Sequence, residues 1–538
     1  MPRCSRRGQA WLAYLLMIAP QRPLSVFSGL RVAGVVRWLP GLVGSGYLAV
    51  VALRLPRLVH GLYWNADAAA PFVLAERLRG TGSVVIPHYG VWTLMWWLLA
   101  TRHLPGHRAV WELTGWLFSL LAVGLLGLAT ARVAGRWAGV TAAATALMVG
   151  PLALRWLLTA NFHTSTPFTA AVLGTYLVAL SERRSAVLAA AVGLLVGANA
   201  ASDPLLWVAG VVPFAVGAAV LAVTTRKTGA AVRGGLVVVV AGLAAVATNE
   251  VMFSLGYHVV SLDRRLAKVA DLPGHIDVLG RMVALLGGAN YAFPGGYPID
   301  PLRPLVALLV LLAIVLTVYA AIVMLARCRT EPVLCSFACY WAAVVVVLGL
   351  AFIGTRNADD TGPLSFTYLL TLALAAGAGI ALFAFRSPRR QLAVAVAVSI
   401  VGITNLAGIA HGRADQLGPG VRPYKPQLIT LLTREGVTRG YADYWDAQSL
   451  TWQSGMRLLL AAVGPCGEGD LCPFRYFTVD SWFQPKPGPS FLIVDPTNRW
   501  LVTVSQQLVK HASQVHRFGP LTVYIFKNDL ARYFHKTD

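Results

Sequence analysis

The chain has 538 residues, of which 57% are hydrophobic and 13% charged, with a formal net charge of +22 and six cysteines. A mean hydropathy of +0.63 excludes an ordinary soluble domain, because only a bilayer can solvate so many apolar side chains. Positive-inside loops and headgroup-facing basic residues account for most of the charge, and a chain so deeply embedded takes no nucleic acid as a partner.

The apolar stretch Trp11 to Ala19 is short and runs into Pro20, Arg22 and Pro23, so it reads as an interfacial segment rather than a cleavable signal. Residues 1–32 are expected to be cytoplasmic. A hydrocarbon core of about 30 Å needs roughly 20 apolar residues per helix, and about eleven segments qualify. They lie near 33–53, 112–131, 137–158, 167–181, 185–201, 204–225, 233–253, 304–326, 333–354, 364–385 and 391–411. When these alternate across the membrane, Arg132 and Arg136, Arg183 and Arg184, Arg226 and Lys227, Arg327 and Arg329, and Arg386, Arg389 and Arg390 share one side. That side is the cytoplasm by the positive-inside rule, and an odd span count puts the C-terminus outside.

The first outer loop, within 54–111, is too long for a turn. From Asn65 to Arg79 it predicts an amphipathic helix lying on the membrane, with Phe72, Leu74, Ala75 and Leu78 on one face. Val84 to Leu99 is apolar but broken by Pro87, His88 and Gly90, which predicts an interfacial or re-entrant element. Arg54, Arg57, Arg77, Arg79, Arg102 and Arg108 stand on the outer side against the topological rule, where they can attract an anionic headgroup or phosphate. The second outer loop, 254–303, gathers charged residues, and its turn-rich run from Gly287 to Pro298 can close over a substrate.

From 412 to 538 the helical hydrophobic period is lost, and an outer α/β domain is expected. Phe491 to Val494 and Leu521 to Phe526 read as strands, and Val504 to Ala512 as a helix. Tyr441, Tyr444, Trp445, Trp452, Trp482 and Trp500 either stack on sugar rings or fill a small core. Cys466 and Cys472 are expected to form a disulfide in oxidising surroundings, since two cysteines without nearby His do not complete a zinc set.

No phosphate loop, dinucleotide fingerprint, His-Glu-x-x-His or internal repeat is present. The leading polar groups are Asp67, in Tyr63-Trp64-Asn65-Ala66-Asp67, and Asp203, in Ala201-Ser202-Asp203-Pro204-Leu205. Each also reads as a helix cap, although Asn65 already supplies an acceptor two residues before Asp67. His88, His163, Glu112, Glu250 and the Asp359-Asp360 pair are weaker candidates.

Those two motifs, with Gly440-Tyr441-Ala442-Asp443-Tyr444-Trp445-Asp446-Ala447, resemble the GT-C superfamily of membrane glycosyltransferases, in particular actinobacterial members and the aminoarabinose transferases of lipid A. The resemblance implies a polytopic α-helical membrane domain over 33–411 followed by an extracytoplasmic α/β domain. It also implies sugar transfer from a polyprenyl-phosphate donor to an envelope glycan or lipid at the outer face of the plasma membrane. Asp67 takes the role of general base, sometimes beside a divalent cation in the superfamily, and Asp203 is a second acidic site. Asn65, His88, Arg356, Tyr441 and Trp445 are the expected substrate-binding side chains, Arg356 for the donor phosphate. The late loop departs from many relatives, because no Arg-Tyr follows Asp359-Asp360. A flippase for lipid-linked sugars and an envelope-assembly scaffold are the rival classes; the missing repeats and intramembrane charge pairs weigh against a carrier.

Overall fold

The computed structural model describes residues 30–62, 66–77, 84–87, 106–150, 157–160, 163–182, 185–260, 266–286, 318–355, 372–377, 379–381, 387–411, 424–465 and 471–534, with isolated positions between them. In chain order the helices are α1 (Leu30–Leu62), α2 (Ala66–Arg77), α3 (His107–Ala134), α4 (Arg136–Leu147), α5 (Ser165–Leu180), α6 (Ala186–Ser202), α7 (Val212–Thr225), α8 (Thr228–Ser254), α9 (Leu272–Leu286), α10 (Pro332–Ile353) and α11 (Pro388–His411). Among the described residues six helices are long and apolar enough to cross a membrane: Trp38–Val59, His107–Ala134, Trp207–Thr225, Thr228–Ser254, Pro332–Ile353 and Arg389–Ala410. The chain is a multi-pass membrane protein.

α1, α3–α8, α10 and α11 fall where apolar runs predict helices, while the spans expected over 304–326 and 364–385 lie largely outside the described residues. α9 stands in the loop 254–303, where no helix is expected from the sequence, and the span expected over 137–158 ends as a helix at Leu147. Gly150-Pro151 follows, and the residue before a proline is driven out of helical conformation. The carbonyls freed by this break are bonded from neighbouring helices. The Tyr47 hydroxyl donates to Val149 O at 2.6 Å, and Asn405 Nδ2 donates to Met148 O at 2.9 Å. Tyr47, Phe214, Phe337, Tyr340, Trp341 and Phe352 are buried at the centre of the bundle. Leu128, Val187, Val223 and Leu243 stand exposed on its outer faces, as lipid contact requires. α6 and α8 approach closely through small residues, for a Cβ on Gly193 would lie 2.8 Å from the Cβ of Val240.

The C-terminal part carries α12 (Tyr424–Arg434), α13 (Tyr444–Gln453) and α14 (Arg499–Leu508) around a six-stranded sheet. Its strands are β3 (Arg439–Ala442), β4 (Leu459–Pro465), β5 (Leu471–Pro473), β7 (Ser490–Val494), β8 (Gln514–Phe518) and β9 (Leu521–Phe526), in the order β5-β4-β3-β7-β9-β8. β3 lies between β4 and β7 and runs parallel to both. β7 and β9 are the strands expected from their apolar runs, and the predicted helix begins earlier than expected, at Arg499. Asn498 caps it, accepting from the amide of Leu501.

A second sheet joins distant parts of the chain. β1 (Val84–Pro87) pairs in parallel with β2 (Tyr257–Val260) and antiparallel with β6 (Thr478–Val479), so the segments after α1 and after α8 are both tied to the C-terminal part. Val84, Val85 and Ile86 therefore form a buried strand and not an interfacial membrane element. The β-branched run explains the strand, whose backbone groups find partners in the other two segments.

Cys328 and Cys335 are disulfide-bonded, a pairing not expected from the sequence, and Cys339 is a buried free thiol. Cys472 is also disulfide-bonded, while Cys466 lies outside the described residues.

Candidate functional site

α2 is a helix because Ala66–Ala70 and Phe72–Glu76 are mostly good helix formers and Asp67 sits in the first turn, where the helix dipole favours an acid. Its expected position on the membrane surface is overturned: Ala66, Ala68–Ala70 and Phe72–Ala75 are buried between α3 and the C-terminal part. The alanines offer flat faces to both neighbours at once, and Phe72 completes the packing. Its ring meets Trp452 edge-on at 4.6 Å and stacks on His107 at 5.1 Å. Trp111 Nε1 donates to Ala68 O, and His107 pairs with Glu76 at 3.0 Å.

The outer-side arginines also differ from expectation. Arg77 donates to Leu460 O at 2.8 Å and lies 3.6 Å over the Trp482 ring. Arg108 lies over Trp452 and pairs with Glu112, and Arg54 donates to Ile409 O. These three guanidinium groups tie helices to one another and to the sheet; they do not stand open to a headgroup.

Asp67 is partly buried, and its Oδ1 accepts a hydrogen bond of 2.9 Å from the hydroxyl of Tyr444, 377 positions away. Burial pushes the Asp67 carboxyl above the usual carboxylate range, while the Tyr444 bond and the charge of His163 pull it down. Tyr444 opens α13, whose start is fixed by Asp443 accepting from the amide of Asp446. The orientation of α13 is held by a buried ion pair of 2.7 Å between Lys425 on α12 and Asp446.

Asp203 is fully buried where α6 ends, and its carboxylate accepts three hydrogen bonds. His163 donates from Nδ1 at 2.7 Å, Thr166 donates its hydroxyl to the same oxygen, and the amide of Leu205 donates to the other at 3.0 Å. The Leu205 bond is the cap expected of Asp-Pro, and the His163 bond exceeds what a cap needs. His163 thus bonds Asp203 and acts electrostatically on Asp67.

Among the described residues no three His, Cys, Asp or Glu side chains form a set able to hold a cation. With Asp203 already accepting three bonds, these residues do not fit a divalent ion, and no step is drawn through one.

Of the expected substrate-binding residues, Tyr441 is corrected. It is fully buried, donates its hydroxyl to Asp529 at 2.6 Å and packs edge-on against Phe534, so it is a core residue without an open ring face. Trp445 is 57% exposed, with its ring 5.4 Å from that of Tyr444. Asn65, His88 and Arg356 lie outside the described residues, as do Asp359 and Asp360. Tyr444 and Thr166 were not picked out as site residues. Tyr444 lies within the Gly440–Ala447 segment, but only the switch from strand to helix at Asp443 turns it, rather than Tyr441, toward Asp67.

No protein-family model matches the chain, and no curated protein matches it. Solved structures do. ArnT from Cupriavidus metallidurans, crystallised with undecaprenyl phosphate, superposes with a TM-score of 0.53 at 13% identity, over 89% of this chain and 97% of that one. The chain shares the fold of that ArnT structure. Apo ArnT gives a TM-score of 0.49 at 16% identity over 91% and 99% of the two chains. The apo oligosaccharyltransferase of Archaeoglobus fulgidus gives 0.45 at 14% identity over 80% and 64%, so this chain spans less than two thirds of that enzyme's length. Asp67 lies after the first long helix and beneath the C-terminal sheet.

Proposed function

We propose that the protein is a membrane glycosyltransferase that moves a sugar from a polyprenyl-phosphate donor to a glycan or lipid acceptor of the cell envelope. The fold shared with ArnT supports this reading, as does the undecaprenyl phosphate bound to that structure. The carrying observation is the environment of Asp67: an acid in the first turn of a buried helix, hydrogen-bonded by Tyr444 and influenced by His163. The proposal places 33–411 in the membrane with 412–538 outside, the N-terminus in the cytoplasm and the reaction at the outer face of the plasma membrane.

The acceptor hydroxyl oxygen attacks the anomeric carbon as the carbon–oxygen bond to the phosphate breaks. The polyprenyl phosphate leaves with the bonding pair, and the hydroxyl proton passes to Asp67. A single displacement of this kind inverts the anomeric centre. A carboxyl raised by burial is a stronger base than an ordinary one. Asp203 holds His163 beside it, and Trp445 presents an exposed ring on which a sugar face can stack.

Transfer of radiolabelled sugar from a polyprenyl-phosphate donor pool by membranes carrying wild type or Asp67→Asn tests the reading, with folding checked in both. Loss of transfer by a folded Asp67→Asn supports the base; undiminished transfer rejects it.

A further inference from the structure

Asp67 is the candidate base, yet a hydrogen-bond donor to it comes from the far end of the chain. The hydroxyl of Tyr444, the first residue of α13, reaches Oδ1 at 2.9 Å across the junction between the membrane helices and the C-terminal part. We infer that Tyr444 is a positioning residue for the acid: the C-terminal part completes the site by holding Oδ1 of Asp67 in place and keeping the carboxyl ionised. The inference rests on the proposed role of Asp67 for its catalytic meaning, whereas its electrostatic content stands on the contact alone.

Three observations carry it. Tyr444 is buried, ringed by Trp445, Phe474 and Tyr476 with centroids 5.4, 5.9 and 5.1 Å away, so its hydroxyl has a fixed direction. The start of α13 is locked by the Asp443 cap and by the Lys425–Asp446 pair, which leaves Tyr444 little freedom to withdraw. α2 is held from the opposite side by Trp111 of α3 on Ala68 O and tied to β4 by Arg77 on Leu460 O, so the two partners meet between rigid supports.

The other charged groups on the elements packed around α2 are engaged elsewhere: His107 with Glu76, Arg108 with Glu112, Asp446 with Lys425, and Arg77 with the Leu460 carbonyl. His163, bonded to Asp203, adds a second influence on Asp67. A hydroxyl that donates to a carboxylate stabilises the charged form, so its removal moves the titration of Asp67 upward. This agrees with the direction in which Tyr444 acts on that carboxyl.

The test reads Asp67 without needing the substrate. Dicyclohexylcarbodiimide modifies protonated carboxyls in apolar surroundings, and labelling of the Asp67 peptide in the full-length protein can be followed against pH by mass spectrometry. Tyr444→Phe keeps the ring and removes only the hydroxyl, and its labelling midpoint is expected to rise by about one pH unit, the tenfold change a hydrogen bond to a charged group gives. Gln453→Gly, at the far end of the same helix, is expected to leave the midpoint where wild type has it, which separates loss of the bond from loosening of α13. An unchanged midpoint in Tyr444→Phe overturns the inference, and so does an equal rise in Gln453→Gly. The catalytic half is read separately. If the midpoint rises in Tyr444→Phe while Asp67→Asn transfers sugar like wild type, the contact stands and the role of Asp67 as base falls.

Discussion

Asp203 and Asp67 are two acids at the ends of helices, yet their partners differ in origin. The three donors to Asp203 come from residues within 40 positions, His163 and Thr166 before it and Leu205 after it. Asp67 takes its bond from Tyr444, 377 positions away, on a part of the chain whose strands and helices form a separate sheet layer. A locally satisfied acid is a fixed point of the fold. An acid whose hydroxyl partner comes from another layer depends on how the two layers sit together, and its protonation reports that fit.

The largest effect expected from this contrast is on stability. Asp203→Ala leaves the His163 ring, the Thr166 hydroxyl and the Leu205 amide without their buried acceptor, and is expected to cost about 3–5 kcal/mol. Thermal unfolding in detergent checks it; a loss below about 1 kcal/mol would break the distinction between the two acids.

Lys425→Met uncovers Asp446 in a buried place, and about 3 kcal/mol is expected to be lost. α13 should loosen with it, so hydrogen exchange over Tyr444–Gln453 is expected to rise while exchange over α6 stays slow. Equal rises in both helices would mean that the layers do not respond separately.

Arg77→Ala removes a carbonyl bond and the contact over Trp482, with an expected cost of about 2 kcal/mol read by the same unfolding assay. Because Arg77 ties α2 to β4 beside the site, hydrogen exchange over α2 is expected to rise in this variant.

The smallest effect sharpens the picture at the site. Transfer is expected to fall as the pH drops through the raised Asp67 titration, since only the carboxylate can take the acceptor proton. The charge of His163 lowers that titration, so His163→Gln is expected to move the acid limb upward, by less than one pH unit because the ring acts through space rather than by a bond to Asp67. A downward move would reverse the assigned sign.

Much of the membrane layer was legible in the sequence because a helix that buries its own backbone needs only a long apolar run. α3, α8 and α10 fall close to their predicted limits for this reason. α2 was legible as a helix but not as a buried one, because the same Phe72 and Leu74 face serves a membrane surface or a protein layer equally well. The sheet formed by β1, β2 and β6 could not be read, since its partners are separated by more than a hundred residues and a four-residue strand carries no address. At the site, Asp67 and Asp203 were singled out as acids beside apolar helices, and Trp445 does lie at the surface. Tyr441 and Tyr444 were indistinguishable as aromatic residues three positions apart; the turn from β3 into α13 buries one in the sheet and aims the other at Asp67.

The central claim is that Asp67 takes the proton of the acceptor hydroxyl while Asp203 holds the fold. Sugar transfer from the polyprenyl-phosphate donor pool, measured side by side in membranes carrying folded wild type and folded Asp67→Asn, tests it most directly. The account predicts a fall of about 10²–10⁴-fold for Asp67→Asn with an unchanged unfolding temperature. Transfer at the wild-type rate by that variant would contradict it.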